Sequence, residues 1–270
     1  MFEPKLGVSL HCISRELTPD MLRNVCASRI ATLEITPTLF DNDTPEETKA
    51  MLVQSLRESD TRAASVHARF GNPYDMSSLD EGIRRRAIVE TCLAVDLASE
   101  LDAPIVVLHL SAEPVGEQER ALRIEGALRA LSEIEPHAGK AARKLAVELL
   151  PRSCLGNSVE ELLGVLDRFG SETLGVCLDV NHLMDGFSSI PDAVRTLGGR
   201  LTTLHMSDYD GVDEKHWLPG RGVICWASFI AALRDIGYTG PFNYECQIEG
   251  ETAGEKIRAL EENFDWLSAL

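Results

Sequence analysis

The sequence predicts an α/β protein folded as an eight-stranded (β/α)8 barrel, and three observations carry that prediction. Short apolar runs of strand length alternate with longer helix-like segments along the whole chain. There are about eight such units in 270 residues, a length typical of this barrel. Seven of the runs carry a Glu, Asp or His at or near their ends: ATLEIT (Glu34), ASVHA (His67), VVLHL (His109), LAVELL (Glu148), VCLDVNH (Asp179, His182), TTLHMSD (His205) and FNYECQ (Glu245). A polar group in an otherwise buried strand is costly. A series of them at one strand end therefore implies a ring of polar side chains around one pocket. An open doubly wound sheet needs fewer units and usually has a Gly-rich loop after its first strand; SLHCISRELTPD has no such glycines.

LGVSL is the first strand, and the helix after it starts near Thr18 with Pro19 in its first turn. IATLEIT precedes a helix opening at Thr44-Pro45-Glu46-Glu47, read as a cap, a proline at the first helical position and acidic first-turn residues. AASVHARF leads into a long helix near Leu79 to Leu101, and PIVVLHL into one near Glu117 to Glu135. KLAVELL is followed by Asn157-Ser158-Val159-Glu160-Glu161, a capped helix start. LGVCLDV precedes a helix opened by Pro191-Asp192. LTTLHMS precedes a long loop and then a helix near Trp226 to Ile236. PFNYECQ precedes the closing helix GEKIRALEENFDWLSAL. With no linker or low-complexity stretch, one domain covering residues 1–270 is expected.

A hydrophobic share of 44% suits a globular core, and no apolar stretch is long enough to cross a membrane. The opening MFEPKLGVSLHC lacks the basic region and long apolar segment of a secretory leader. The seven cysteines are scattered and without a CxxC pair, as reduced thiols would be, so a cytoplasmic protein is expected. The net charge of −17 repels polyanions. The basic run Arg84-Arg85-Arg86 falls on a predicted helix as a solvated face. Neither a nucleic acid nor a membrane is expected as a partner.

Strand alternation predicts which side chains face inward, since neighbours on one face are two residues apart. Glu148 shares a face with Ala146, Asp179 with Cys177, His205 with Thr203 and Glu245 with Asn243. Bulky Val147, Leu149, Val176, Leu178 and Val180 face the helices. Glu148, Asp179, His205 and Glu245 thus top the fifth to eighth strands and point into one pocket. Three carboxylates crowded into a partly dry site repel and take up protons. A divalent cation relieves that repulsion. Mixed carboxylate and imidazole ligation suits Mn²⁺, the leading choice, with Co²⁺, Mg²⁺ and Zn²⁺ as alternatives.

On the segments VELLPR, CLDVNH, HMSDYDG…HWLPGRG and YECQ, the chain resembles the xylose isomerase-like TIM-barrel superfamily over essentially its whole length. That group holds sugar isomerases and epimerases, inosose dehydratases and type-IV apurinic endonucleases. The resemblance implies a metal set of Glu148, Asp179, His205 and Glu245. It also implies a small sugar or sugar-derivative substrate. With a cation polarising the carbonyl, Glu148 and Glu245 would remove the neighbouring C–H proton and return it from the opposite face through an enediolate. His182 would bind substrate, as its counterpart does in the sugar enzymes; in the endonucleases that position holds a second metal. His67 and His109 are read as pocket wall, with an additional metal, which matching histidines bind in the endonucleases, and core packing as the alternatives; His216 is expected over the pocket, and His11 is the less favoured candidate to reach it. Glu34 is expected to bind a substrate hydroxyl or to pair with a loop arginine. Relatives are often dimers or tetramers, so a homo-oligomer is allowed, but no interface is legible in the sequence.

Asp208 is expected to orient His205 or a hydroxyl, and His216 with Trp217 to close over the sugar. Arg152 is read either as a phosphate or carboxylate partner or as a surface residue. Two positions depart from the ketose 3-epimerases. A further Glu six residues beyond the first metal Glu is here Cys154, and an Arg six beyond the metal His is here Gly211. Two other enzymatic outcomes use the same residues or some of them. One is β-elimination, as in inosose dehydratases or 3-keto-glycoside lyases. The other is zinc-dependent cleavage at abasic sites, for which Asp213-Glu214-Lys215-His216 departs from the expected Asp-x-His pair. A non-catalytic member that binds a sugar or a partner protein is the fourth reading.

Overall fold

The structure is a computed structural model that describes residues 2–36 and 44–270. Eight parallel strands lie in the order β7-β6-β5-β4-β3-β2-β1-β8. They are β1 (Leu6–Ser9), β2 (Thr32–Ile35), β3 (Arg62–His67), β4 (Ile105–Leu108), β5 (Lys144–Glu148), β6 (Leu174–Asp179), β7 (Leu201–His205) and β8 (Phe242–Tyr244). Between β7 and β8 the ladder thins to a bridge at Met206 and Tyr244. Met206 N donates to Asn243 O (2.8 Å) and Glu245 N donates to Met206 O (3.2 Å), which nearly closes the barrel.

The helices are α1 (Pro19–Cys26), α2 (Glu46–Glu58), α3 (Glu81–Glu100), α4 (Arg120–Lys140), α5 (Val159–Leu166), α6 (Ile190–Leu197), α7 (Trp226–Asp235) and α8 (Ala253–Ser268). Thr18, Asp80, Ser158 and Thr252 cap their helices through side-chain oxygens, and Thr252 with Glu255 completes a capping box. Two boundaries differ from the sequence reading. Pro45 is the residue before α2 rather than its first helical residue, and its own side chain makes no capping hydrogen bond. α4 runs through Pro136 to Lys140 instead of stopping at Glu135. Pro136 is exposed, so water can reach the Ser132 carbonyl it leaves unpaired, while fully buried Ile134 and Ala138 hold both sides of it to the core.

The apolar residues divide as the alternation predicts. Val147, Leu149, Val176, Leu178 and Val180 belong to the large layer between sheet and helices. Val107, Ala146 and Cys177 form a separate small cluster inside the barrel. Because these inward residues are short, the barrel is filled low down and leaves room at the C-terminal strand ends. Among the described residues no helix is long and apolar enough to cross a membrane. The seven cysteines are free thiols.

Candidate metal centre

Three of the four expected ligands end their strands: Glu148 on β5, Asp179 on β6 and His205 on β7; Glu245 follows β8 by one residue. Register brings them together, with Asp179 beside His205 and Glu148 beside Cys177. One ligand atom from each of Glu148, Asp179, His205 and Glu245 lies within 4.8 Å of the others. Asp179 and His205 are fully buried and Glu148 is 1% exposed, whereas Glu245 is only partly covered.

The polar atoms of this group are poorly satisfied by the protein. His205 Nδ1 is 2.7 Å from Glu245 Oε2 and 3.4 Å from Glu148 Oε1, yet neither contact is aligned as a hydrogen bond. Asp179 Oδ2 is also buried without a hydrogen-bond partner, although Asp179 Oδ1 accepts from the Asn181 N–H. Burial pushes the Asp179 carboxyl up, more than nearby His182 pulls it down. Burial opposes charge on Glu148 and Glu245 too, but the neighbouring histidines together overcome it, His205 with His109 at Glu148 and His205 with His67 at Glu245, and hold both carboxylates low. Burial likewise disfavours the His205 cation, and Glu245, Glu34 and Glu148 overcome it, holding that imidazole well above its ordinary value. Orphaned oxygen and nitrogen lone pairs converging from carboxylates and an imidazole are the donor set of a divalent cation, so these residues fit one.

The histidines around the group have their ring orientation set from behind. His67 Nδ1 donates to Ala68 O (2.8 Å), and its Nε2 meets Glu148 Oε2 at 3.1 Å. His109 Nε2 meets the same oxygen at 3.0 Å. His182 Nδ1 donates to Leu149 O (2.9 Å), leaving Nε2 3.6 Å from Asp179 Oδ2 and 3.4 Å from Glu214 Oε2. A ring N–H given to a carbonyl is how proteins orient imidazoles whose other nitrogen does chemistry. His216 sits at a positive φ of 48°, with Nδ1 3.2 Å from Ser207 Oγ and its ring edge-on to His182. Asp179, His182 and His216 form a second group able to hold a cation, and His67, Glu148 and His205 a third.

A cavity of about 650 Å³ opens over the cluster, and His11, His67, His109, His182 and His216 all line it. Glu148 and Glu245 reach its surface, while Asp179 and His205 lie beneath. Glu34 is placed differently from the sequence expectation. It is fully buried and bonded to Ser65 Oγ and His205 Nε2, touching neither the cavity nor a loop arginine. Its strand-end position and inward face were legible, but not its depth below the pocket floor.

The loop after β7 also departs from expectation. Asp208 is fully buried and turns away from His205. It accepts hydrogen bonds from Gly220 N (2.7 Å), Ile224 N (3.2 Å) and Trp226 Nε1 (2.9 Å), so it ties down the loop. Gly222 passes so close that a Cβ there would lie 2.0 Å from Tyr209 O. Trp217 pairs with Asp208 through the backbone and is not on the cavity wall. Arg152 holds Glu214 and Asp213 (both 2.6 Å) and Glu113 (3.5 Å), fastening the loop to the β5–α5 side. Glu214 and Phe70 are cavity residues that the sequence reading missed. The spacing of Glu214 two residues before His216 was a usable signal; nothing marked Phe70, which stacks on His109 at 4.1 Å.

Residues 30–270 match the sequence model of the xylose isomerase-like TIM barrel. An uncharacterized protein of Methanocaldococcus jannaschii is 28% identical over 185 residues, which are 67% of this chain and 63% of that one. The D-psicose 3-epimerase of Enterocloster bolteae is 32% identical over 135 residues, 49% of this chain and 43% of the enzyme. The chain thus spans less than two thirds of the length of these curated relatives. A solved D-tagatose 3-epimerase-like protein superposes with a TM-score of 0.82 over 98% of both chains at 24% identity, which shows a shared fold.

Proposed function

Because the chain belongs to the xylose isomerase-like TIM-barrel family, we propose that it is a divalent-metal-dependent isomerase or epimerase of a sugar or sugar derivative. The observation that carries this reading is the convergence of Glu148, Asp179, His205 and Glu245 within 4.8 Å at the floor of a histidine-lined cavity. The epimerase names among its relatives support it. A divalent cation held by these four residues, Mn²⁺ first among candidates, supplies Lewis-acid polarisation of a carbonyl and neutralises the charge developing beside it.

The residues of the chain do the rest. Glu245, partly open to the cavity, takes the proton from the carbon next to the carbonyl, giving an enediolate. Glu148 returns a proton on the other face. His67 and His109, both hydrogen-bonded to Glu148 Oε2, keep that carboxylate oriented and supplied with protons. His182 Nε2 and His216 orient substrate oxygens, and Arg152 holds Glu214 and its loop over the cavity. We read residues 1–270 as one domain, cytoplasmic given its free thiols.

The test is metal analysis of purified protein, followed by incubation with ketoses, keto-inositols, 3-keto-glycosides and sugar phosphates in deuterated water. Incorporation of one deuterium into an isomer supports the reading. Loss of water or of an aglycone moves the assignment to a dehydratase or lyase with the same bases. Protein that binds no divalent cation sinks both. The second cation-capable group, Asp179, His182 and His216, favours one further reading, a zinc-dependent apurinic endonuclease. Nicking of abasic-site DNA by zinc-loaded protein would establish it, although the charge of −17 opposes a polyanionic substrate.

A further inference from the structure

We propose that Glu34 is a positioning residue of the cation site: it fixes His205 in the tautomer with hydrogen on Nε2 and so directs the Nδ1 lone pair at Glu148 and Glu245. This rests on the metal-dependent reading above. Glu34 stands one residue before the end of β2, across the barrel from β7, and is fully buried. Its carboxylate oxygens are each 3.1 Å from His205 Nε2. Ser65, its register neighbour on β3, donates to Oε2 at 2.8 Å and stops the carboxylate from rotating. A carboxylate can only accept here, so Nε2 must carry the hydrogen. The other nitrogen is then the one offered to the cluster, 3.4 Å from Glu148 Oε1 and 2.7 Å from Glu245 Oε2.

An isolated acid sealed below the pocket floor would be costly without such a task. Carboxylate–imidazole–metal chains orient the ring and raise its basicity as a ligand. Glu34→Gln has nearly the same shape but an amide that can also donate to Nε2. It therefore permits the opposite tautomer, with Nδ1–H pointing at two carboxylates and no lone pair for a cation.

The test uses two readouts independent of turnover. Long-range ¹⁵N–¹H NMR of the zinc-loaded wild type should show His205 bound through Nδ1 and protonated on Nε2. Calorimetric titration with Zn²⁺ or Mn²⁺ alone should show Glu34→Gln weakened about 10–100-fold, and Ser65→Ala weakened less. Equal affinity in wild type and Glu34→Gln, or binding through Nε2 in the wild type, overturns the proposal. If Glu34→Gln does not fold, the wild-type tautomer still decides. A wild type that takes up neither cation overturns the metal reading itself, which is a different result from uptake that Glu34→Gln leaves untouched.

Discussion

Nε2 of His67 lies 3.1 Å from Oε2 of Glu148, while Nδ1 of the same ring gives its hydrogen to the carbonyl of Ala68. Both ring nitrogens therefore face groups that only accept. Without a cation beside it, such a ring holds two hydrogens and a positive charge. Burial resists that charge, but the Glu148 hydrogen bond and the surrounding carboxylates prevail, raising His67 to about 9.

That pairing makes the stability of the cation-free protein depend on pH. A histidine raised from about 6.5 in the unfolded chain to about 9 in the fold stabilises fully below pH 6.5. The contribution is lost as pH rises through 9, and it is on the order of 3 kcal/mol. Urea unfolding of EDTA-treated protein should show wild type losing its advantage over His67→Gln between pH 6.5 and 9. A difference between the two that stays flat across this range would refute the assignment.

Cation uptake should release protons. The surrounding carboxylates hold His205 well above its ordinary value and His67 at about 9. A cation at His205 Nδ1 must displace hydrogen, so apparent affinity for Mn²⁺ or Zn²⁺ rises with pH through the neutral range. Calorimetry in buffers of different ionisation enthalpy measures this directly. Binding heats that do not vary with the buffer would contradict it.

Glu245→Gln tests the proton-transfer step. The amide preserves shape but cannot take a proton, so turnover should fall about 10²–10⁴-fold. Exchange of the substrate C–H with deuterated solvent should fall in parallel, while the thermal melt of the metal-free variant stays close to wild type. Deuterium exchange at the wild-type rate would remove Glu245 from the role of base.

Gly222→Ala should be among the most damaging single-methyl changes in the chain. The new Cβ would meet Tyr209 O at 2.0 Å and Asp208 Oδ1 at 2.5 Å, and neither can retreat without unfastening the loop from Asp208. Overpacking of this kind costs about 1–3 kcal/mol or more. Urea midpoints should drop accordingly, with faster proteolytic cleavage between residues 209 and 225. An unchanged midpoint would mean the loop is not held as described.

The eight units and the inward, strand-end placement of the four residues expected to hold a cation were readable because they depend on local rules. Alternation with a period of two residues decides which side chains face inward, and caps such as Ser158 and Thr252 mark helix starts. Glu148, Asp179 and His205 each sit one alternation above a small inward residue, which leaves space for a polar top. α4 escaped these rules at Pro136, because burial of Ile134 and Ala138 overrode a local helix breaker.

By itself, then, the sequence determined the barrel and the end of it where polar groups gather, since both follow from periodicity and the cost of burying charge. Tertiary structure alone decided the jobs of Glu34, Asp208 and Arg152. Glu34 and Asp208 each occupy a position from which an acid could have entered the pocket. One was drawn beneath it by His205 and Ser65, and the other was turned into its loop by Gly220, Ile224 and Trp226. Arg152, free on the sequence to meet a ligand, is held by Glu113, Asp213 and Glu214. Those partners lie up to 171 residues away along the chain, and only the closed barrel sets their depth and direction.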